Sequence, residues 1–384
     1  MWLRSLALEH FRNYQSQQFD FSVDTDVHLL LGENGSGKTN ILEAIALLAL
    51  TRSCRFADDE DMVLWDAHYF RVQGMIECID GTKKTLECVY QRQPRRKAFF
   101  VNGVRTSTTQ FIGSFPVSVF LPQDLSLFSG SPGQRRQFFD RILCQVLPEY
   151  FRHFLTYAKV LKQRNALLRR VAHGEMSQDS LLFWDRELAE SGSVLTLSRL
   201  ELLETLNVAL REELAGFGVR WESASLSLKR ATVQRSKDAL IVEFLQCLQD
   251  TRTRDLALLH TTVGPHREDW SLEVNGRNIA VFASRGQQRL CLLALLFLQL
   301  SYIELRCGEK PVVLLDDVSS ELDEEHQECV LRMLDGHQVF VSGVHPFEAF
   351  AGAVWHVSSG SCEAPNSASA NASAASSGRG ISVR

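Results

Sequence analysis

The chain has 384 residues, 45% hydrophobic and 23% charged, with a formal net charge of −5. Those values suit a folded chain of two or three lobes and exclude a global basic pull toward nucleic acid, so any DNA contact must come from local patches. Nine scattered cysteines, never in CxxC spacing, argue against a disulfide framework or a zinc site and for a reduced, cytoplasmic setting.

The N-terminus is charged early (Arg4, Glu9, Arg12) and has no signal-peptide core. Residues 3–10 read as a first strand. An apolar run at 27–31 then stops at a glycine-rich loop, and a helix follows that carries Ile41, Leu42, Ile45 and Leu48. This is the strand–loop–helix setting that a GxxxxGK[ST] loop requires. Gly32, Glu33, Asn34, Gly35, Ser36 and Gly37 would cradle the phosphates of ATP with backbone N–H groups. Lys38 would reach the β- and γ-phosphates, and Thr39 would ligate Mg²⁺. The bare pattern arises by chance roughly once in 100 chains of this size, and its setting lowers that further.

Residues 69–79 and 85–90 read as strands, and 98–102 runs into an Asn102-Gly103 hairpin turn. Residues 117–121 read as a buried strand. From 131 to about 260 the spacing is mostly helical, with a stripe at Phe154, Ala158, Leu161, Asn165 and Leu168 and an interruption over 219–229 that suits a strand. Asn275-Gly276 marks another hairpin, residues 286–305 a buried helix, and 312–315 and 339–341 short apolar strands. The longest apolar run, 290–300, contains Gln299 and is too short to span a bilayer, so no membrane segment is expected. Residues 359–384 are Ser-, Ala-, Gly- and Asn-rich and are expected to stay disordered.

The second chemical motif is VVLLDDVSSELD at 312–323, an apolar strand ending in two carboxylates. Asp316 would hold the Mg²⁺ shell and Asp317 would act as general base toward the attacking water. A gap of 278 positions separates Lys38 from Asp316, which a helical insertion into one ATPase sheet explains. Ser284, Arg285, Gly286 and Gln287, just ahead of the buried helix, resemble the signature loop of ABC-type ATPases, which completes the ATP site of an opposing protomer. On the same template Gln123 is a metal- and water-sensing residue. Ser319, Ser320, Glu321 and Asp323 form a loop across a dimer interface, and His345 is a candidate γ-phosphate sensor.

The motifs together resemble the RecF family of bacterial recombination-repair ATPases, related to the structural-maintenance-of-chromosomes proteins. The resemblance runs through LALEHFRNY (6–14), GENGSGKTNILEAI (32–45), LPQDLSLFSGSPGQRRQFFD (121–140), LKQRNALL (161–168), WDRELAESG (184–192), VGPHRED (263–269), SRGQQR (284–289) and LLDDVSSELD (314–323). It implies an α/β fold, an ABC-type ATPase head (lobe I) with an inserted, mostly helical lobe II and no long coiled coil. The expected division is 1–124 and 261–358 for lobe I, 125–260 for lobe II and 359–384 for the tail. It also implies ATP-driven homodimerisation, DNA binding, a weak DNA-stimulated ATPase and a role in directing RecA to gapped DNA, with SOS induction and RecR as partner. Gln123 stands where the family usually has Glu, and Arg285 where it usually has Gln.

Cationic clusters offer phosphate contacts without base readout: Arg52 and Arg55; Arg92, Arg95, Arg96 and Lys97; Arg135, Arg136 and Arg141; and Lys159, Lys162, Arg164, Arg169 and Arg170. Each also reads as a solvated face. Rival readings are a transport-driving ABC ATPase, a small-molecule phosphotransferase, and an interaction hub that binds ATP but hardly hydrolyses it.

Overall fold

Alternating apolar residues open the chain as β1 (Trp2–Phe11), which pairs antiparallel with β2 (Tyr14–Asp20). The structure, a computed structural model, describes residues 1–384 except 22–24, 56, 231–233, 318–329, 331–333, 346–351 and 364–384. Next come β3 (Val27–Leu31), α1 (Lys38–Leu50), β4 (Tyr69–Glu77), β5 (Lys83–Gln91), β6 (Arg96–Val101), β7 (Val104–Thr106), the short α2 (Thr108–Phe111) and β8 (Val117–Phe120). Six of these strands form an antiparallel sheet in the order β2-β1-β4-β5-β6-β7. Asn102 and Gly103 turn β6 into β7 with φ of 51° and 76°, the double positive φ of a tight hairpin.

The middle of the chain is helical: α3 (Pro132–Val146), α4 (Pro148–Ala172), α5 (Leu181–Gly216), β9 (Ala224–Leu228), α6 (Lys237–Asp250) and α7 (Arg252–Leu258). Ser131 starts α3 with a reciprocal capping box to Gln134, and Pro132 fills the first turn. Then follow β10 (Trp270–Val274), β11 (Arg277–Asn278), α8 (Ile279–Phe282) and α9 (Arg285–Cys307). By length and composition α9 could cross a membrane, with mean hydropathy 1.7 over its most apolar window, and it is longer than the apolar run suggested. However, 67% of that window is buried inside the protein, as in a core helix.

The chain returns through β12 (Val312–Leu315), β13 (Val339–Gly343), β14 (Ala353–Ser358) and β15 (Ser361–Glu363). They join β3 and β8 in a second six-stranded sheet, β15-β14-β3-β13-β12-β8, parallel except for β15. Fully buried strands such as VVLL suit a parallel sheet covered on both faces. Helix α1 lies in the core with the two sheets. All its residues except Thr39 and Asn40 are buried, and it shares one apolar cluster with Leu3, Leu6, Phe70 and Val72 of one sheet and Leu30, Val312, Leu314 and Phe340 of the other.

Two units result, Met1–Pro122 with Ile303–Arg384, and Gln123–Tyr302. The return to the first unit therefore comes about 40 residues later than the expected boundary at 261. Pairing explains the shift: β10 is the central strand of a small sheet with β9 and β11, and Asp269 beside it holds Arg135 of α3. The expected tail also begins too early, because 361–363 form a strand; residues 364–384 lie outside the described ones.

Candidate nucleotide-binding site

The phosphate loop spans the end of β3 and the start of α1. Glu33, Asn34 and Gly35 are exposed, Gly32 is half-buried, and Ser36, Gly37 and Lys38 are buried. Gly37 is the N-cap of α1 at φ 118° and offers no side-chain cap. The Asn40 N–H turns back to the Gly37 carbonyl, and the Lys38 and Thr39 N–H groups ahead of it are placed to receive an anion. The Ser36 hydroxyl is buried without a hydrogen-bond partner. These features fit a polyphosphate. Lys38 Nζ donates to the Gly32 and Glu33 carbonyl oxygens at 2.6 and 2.8 Å. Burial holds its pKa below the usual lysine value, and the nearby Asp317 and Asp316 carboxylates oppose that shift.

The parallel sheet brings the second motif to the loop. Thr39 Oγ1 donates to Asp316 Oδ1 at 2.9 Å, and Ser342 Oγ of β13 donates to the same oxygen at 2.7 Å. Burial pushes the Asp316 carboxyl up from its ordinary value, and the two hydroxyls pull it back. Hydroxyl and carboxylate oxygens are the hard donors that Mg²⁺ takes. Among the described residues no group of three or more His, Cys, Asp or Glu gathers as a metal site. A Mg²⁺ held by Thr39 and Asp316 would thus draw its other oxygens from nucleotide and water. Asp317 sits at φ 51° with its backbone N–H donated to Ser342 Oγ at 2.9 Å. One serine therefore holds the Asp316 carboxylate and the Asp317 backbone. Sequence reasoning missed Ser342, although a lone hydroxyl in the buried run VFVSG is a visible signal.

Two turns also missed from sequence wall the loop. Asn13 Nδ2 donates to the Ser36 carbonyl at 3.0 Å, Asn40 Nδ2 donates to Asn13 Oδ1 at 2.8 Å, and the Tyr14 hydroxyl donates to the Gly37 carbonyl at 3.1 Å. The Gly360 N–H donates to the same Ser36 carbonyl at 3.2 Å. The RNY stretch near the N-terminus thereby acquires a role. Arg12 of that stretch grips the buried Glu43 of α1 through two bonds of 2.7 and 2.8 Å.

The remaining expected residues are placed as follows. Ser284 caps α9 reciprocally with Gln287, its Oγ accepting from Gln287 N at 3.2 Å and its N–H donating to Gln287 Oε1 at 3.0 Å. Ser284, Arg285, Gly286 and Gln287 are all exposed. Gln123 is exposed, belongs to the second unit and accepts from Ser126 Oγ at its carbonyl. His345 is exposed just beyond β13. Ser319, Ser320, Glu321 and Asp323 lie outside the described residues.

The cationic clusters divide. Arg55 is exposed and its charge acts on Asp316, while Arg52 is half-buried. Arg95 pairs with Glu60, and Lys97 pairs with Asp59 and donates to the Thr51 carbonyl. Arg96 is exposed on the same wall of an approximately 440 Å³ depression that also includes Asp58 and Asp61. Arg135 is a correction. It is buried, grips Asp269 with two nitrogens and donates to the carbonyls of Leu127, Phe128 and Gly130. Its charge is spent inside the second unit. Arg136 is half-buried and donates to the Glu268 carbonyl at 2.7 Å. Arg141 and Arg164 are likewise internal, on Asp124 and on Asp185 with Asp255.

Residues 2–346 match the family described as the RecF/RecN/SMC N terminal domain. The chain is 35% identical over 348 residues to the DNA replication and repair protein RecF of Heliobacterium modesticaldum, covering 90% of this chain and 93% of that one. It is 36% identical to the RecF of Enterococcus faecalis, over 88% and 90% of the two chains. The chain belongs to the RecF family. A solved recombination mediator RecF with ATPrS, in the RecFOR pathway, superposes with TM-score 0.87 at 31% identity, over 94% of this chain and 98% of that one. An Smc head bound to the C-winged helix domain of ScpA superposes at 0.53 and 16% identity, which shows the shared ABC-type head fold alone. In this RecF-family chain the VGPHRED stretch ties the second unit together. Its Gly264, at φ 121°, lies where a Cβ would meet the Tyr157 hydroxyl at 2.5 Å. Tyr157 donates to His266 Nδ1 at 2.6 Å, and Glu268 accepts from Arg199, Arg230 and Thr196.

Proposed function

We propose that this chain is an ATP-dependent DNA-binding protein of recombinational repair and replication restart. ATP binds at Gly32–Thr39 of one protomer and is capped by Ser284–Gln287 of a second. The ATP-bound homodimer engages gapped DNA without sequence readout and, with RecR, directs RecA loading and SOS induction. The observation that carries the reading is the joining of Thr39 to Asp316, which assembles phosphate cradle and carboxylates at one place. The exposed position of the Ser284 loop supports its donation to another copy, and the RecFOR setting of the solved relative supports the pathway.

Within the site, the α1 N-terminus and Lys38 neutralise phosphate charge, and Thr39 with Asp316 would hold a divalent ion, which would supply further positive charge to the phosphates. Asp317, with its backbone fixed by Ser342, accepts the proton of the attacking water. A carboxylate on the short Asp arm suits slow turnover, so ATP acts as a switch on association rather than as fuel. ATP turnover measured with and without gapped DNA tests this. Stimulation by DNA is expected. Turnover indifferent to DNA would favour a transport ATPase or a small-molecule phosphotransferase instead.

A further inference from the structure

The C-terminal hairpin β14–β15 lies outside every nucleotide motif, yet it touches the phosphate loop twice. A Cβ on Gly32 would collide with the Val357 carbonyl oxygen of β14. At the hairpin turn, Gly360 sits at φ 82°, donates its N–H to the Ser36 carbonyl at 3.2 Å, and lies where a Cβ would collide with the Asn13 carbonyl oxygen. That same Ser36 carbonyl is the acceptor for Asn13 Nδ2. The far strand of the hairpin is fastened to β2, since the Gln17 side chain both donates to the Cys362 carbonyl and accepts its N–H, each at 3.2 Å.

We infer that the β14–β15 turn is a positioning element for the nucleotide, with Gly360 and Asn13 as positioning residues that hold Ser36 and so aim the loop's N–H groups. The inference rests on the ATP-binding reading above and deepens it. The physical reason is that a phosphate cradle works only when its N–H dipoles are pre-aimed, and here two turns converge on the Ser36 carbonyl and set the aim. Coupling runs both ways: whatever fixes the hairpin favours ATP, and ATP fixes the hairpin. Cys362 provides the report. Burial pushes its thiol up to about 12, and only the thiolate reacts, so alkylation at pH 8 measures undocking.

The test uses the full chain, MgATP affinity by calorimetry, and mass-resolved alkylation of Cys362. Gly81 is the control, because it shares the backbone conformation of Gly360 (φ 80°) but a Cβ there meets nothing. Gly360→Ala should weaken MgATP about tenfold, Asn13→Ala should weaken it in the same direction, and Gly81→Ala should leave it unchanged. In the unaltered chain MgATP should slow Cys362 alkylation severalfold, and in Gly360→Ala this protection should vanish. Unaltered affinity in both Gly360→Ala and Asn13→Ala, or Cys362 alkylation indifferent to MgATP in a chain that binds it, overturns the inference. If the unaltered chain does not bind MgATP at all, the ATP-binding reading falls first, and this one with it.

Discussion

Thr39 and Asp316, 277 positions apart, share a hydrogen bond of 2.9 Å. The parallel order β3-β13-β12 makes that bond possible, because it carries the C-terminal ends of a strand near the start of the chain and one near its end to the same edge. An open parallel sheet collects its ligands at that edge.

Asp317→Asn should trap the ATP-bound dimer. Loss of a general base lowers turnover about 10²–10⁴-fold while leaving ATP affinity in place. Sedimentation with ATP checks it. An Asp317→Asn protein that stays monomeric with ATP would exclude hydrolysis-driven release.

Ser342→Ala should act on both aspartates, through the carboxylate of Asp316 and the backbone of Asp317. Asp316 loses one of the two hydroxyls that stabilise its charged form, so its pKa rises further above the ordinary value. Binding of Mg²⁺ needs the carboxylate, and the acidic limb of the MgATP-binding profile should therefore move to higher pH. The Asp317 N–H also loses its acceptor, at a cost of about 1–3 kcal/mol in folding stability. An unmoved acidic limb would show that Asp316 is not a metal ligand.

Acid should loosen both units before carboxylates titrate. Burial lowers His28 and His266 from 6.5 to about 4. Well above pH 6.5 these groups are neutral whether folded or not, and stability is complete. As pH falls from 6.5 toward 4, the unfolded chain takes up protons that the folded one refuses, and stability declines. For His28, which is fully buried between Phe21, Phe340 and Trp355, the loss amounts to about 3 kcal/mol. Urea midpoints at pH 7, 6 and 5 measure the slope. His28→Gln should flatten it, and an identical slope would remove His28 from the explanation.

Substituting Arg95, Arg96 and Lys97 together by Ala should lower the salt slope of DNA binding by about 1. Three free phosphate contacts would be worth about 3, but Arg95 and Lys97 are already engaged by Glu60 and Asp59. No change would remove this hairpin from the DNA contact. A change near 3 would mean that DNA breaks both ion pairs.

What was legible in the sequence is what local chemistry determines. The phosphate loop was readable because a buried strand, three glycines and an apolar helix stand next to one another. Both Asn-Gly hairpins were readable because few residues accept two positive φ angles in succession. The edge strand β2 was not: it reads YQSQQFD, with only Tyr14 and Phe19 buried, so it carries no periodic apolar signal. Ser342, Asn13 and Gly360 escaped for a different reason. Asn13 and Gly360 reach the loop from turns far away in the sequence, and Ser342 meets the two aspartates through the pairing of β12 with β13, its lone hydroxyl in VFVSG being the one local sign. Arg135 misled for the converse reason, since a surface-looking RR pair hides one arginine that Asp269 draws inward.

The most direct test mixes two crippled proteins. Lys38→Met subunits cannot hold ATP but keep the Ser284 loop; Ser284→Arg subunits hold ATP but cannot cap it. Alone, each should be inactive in DNA-stimulated ATP turnover and should stay monomeric. Mixed, they should regain both dimerisation and turnover, since each pair contains one complete site. A mixture as inactive as its components would contradict a shared site.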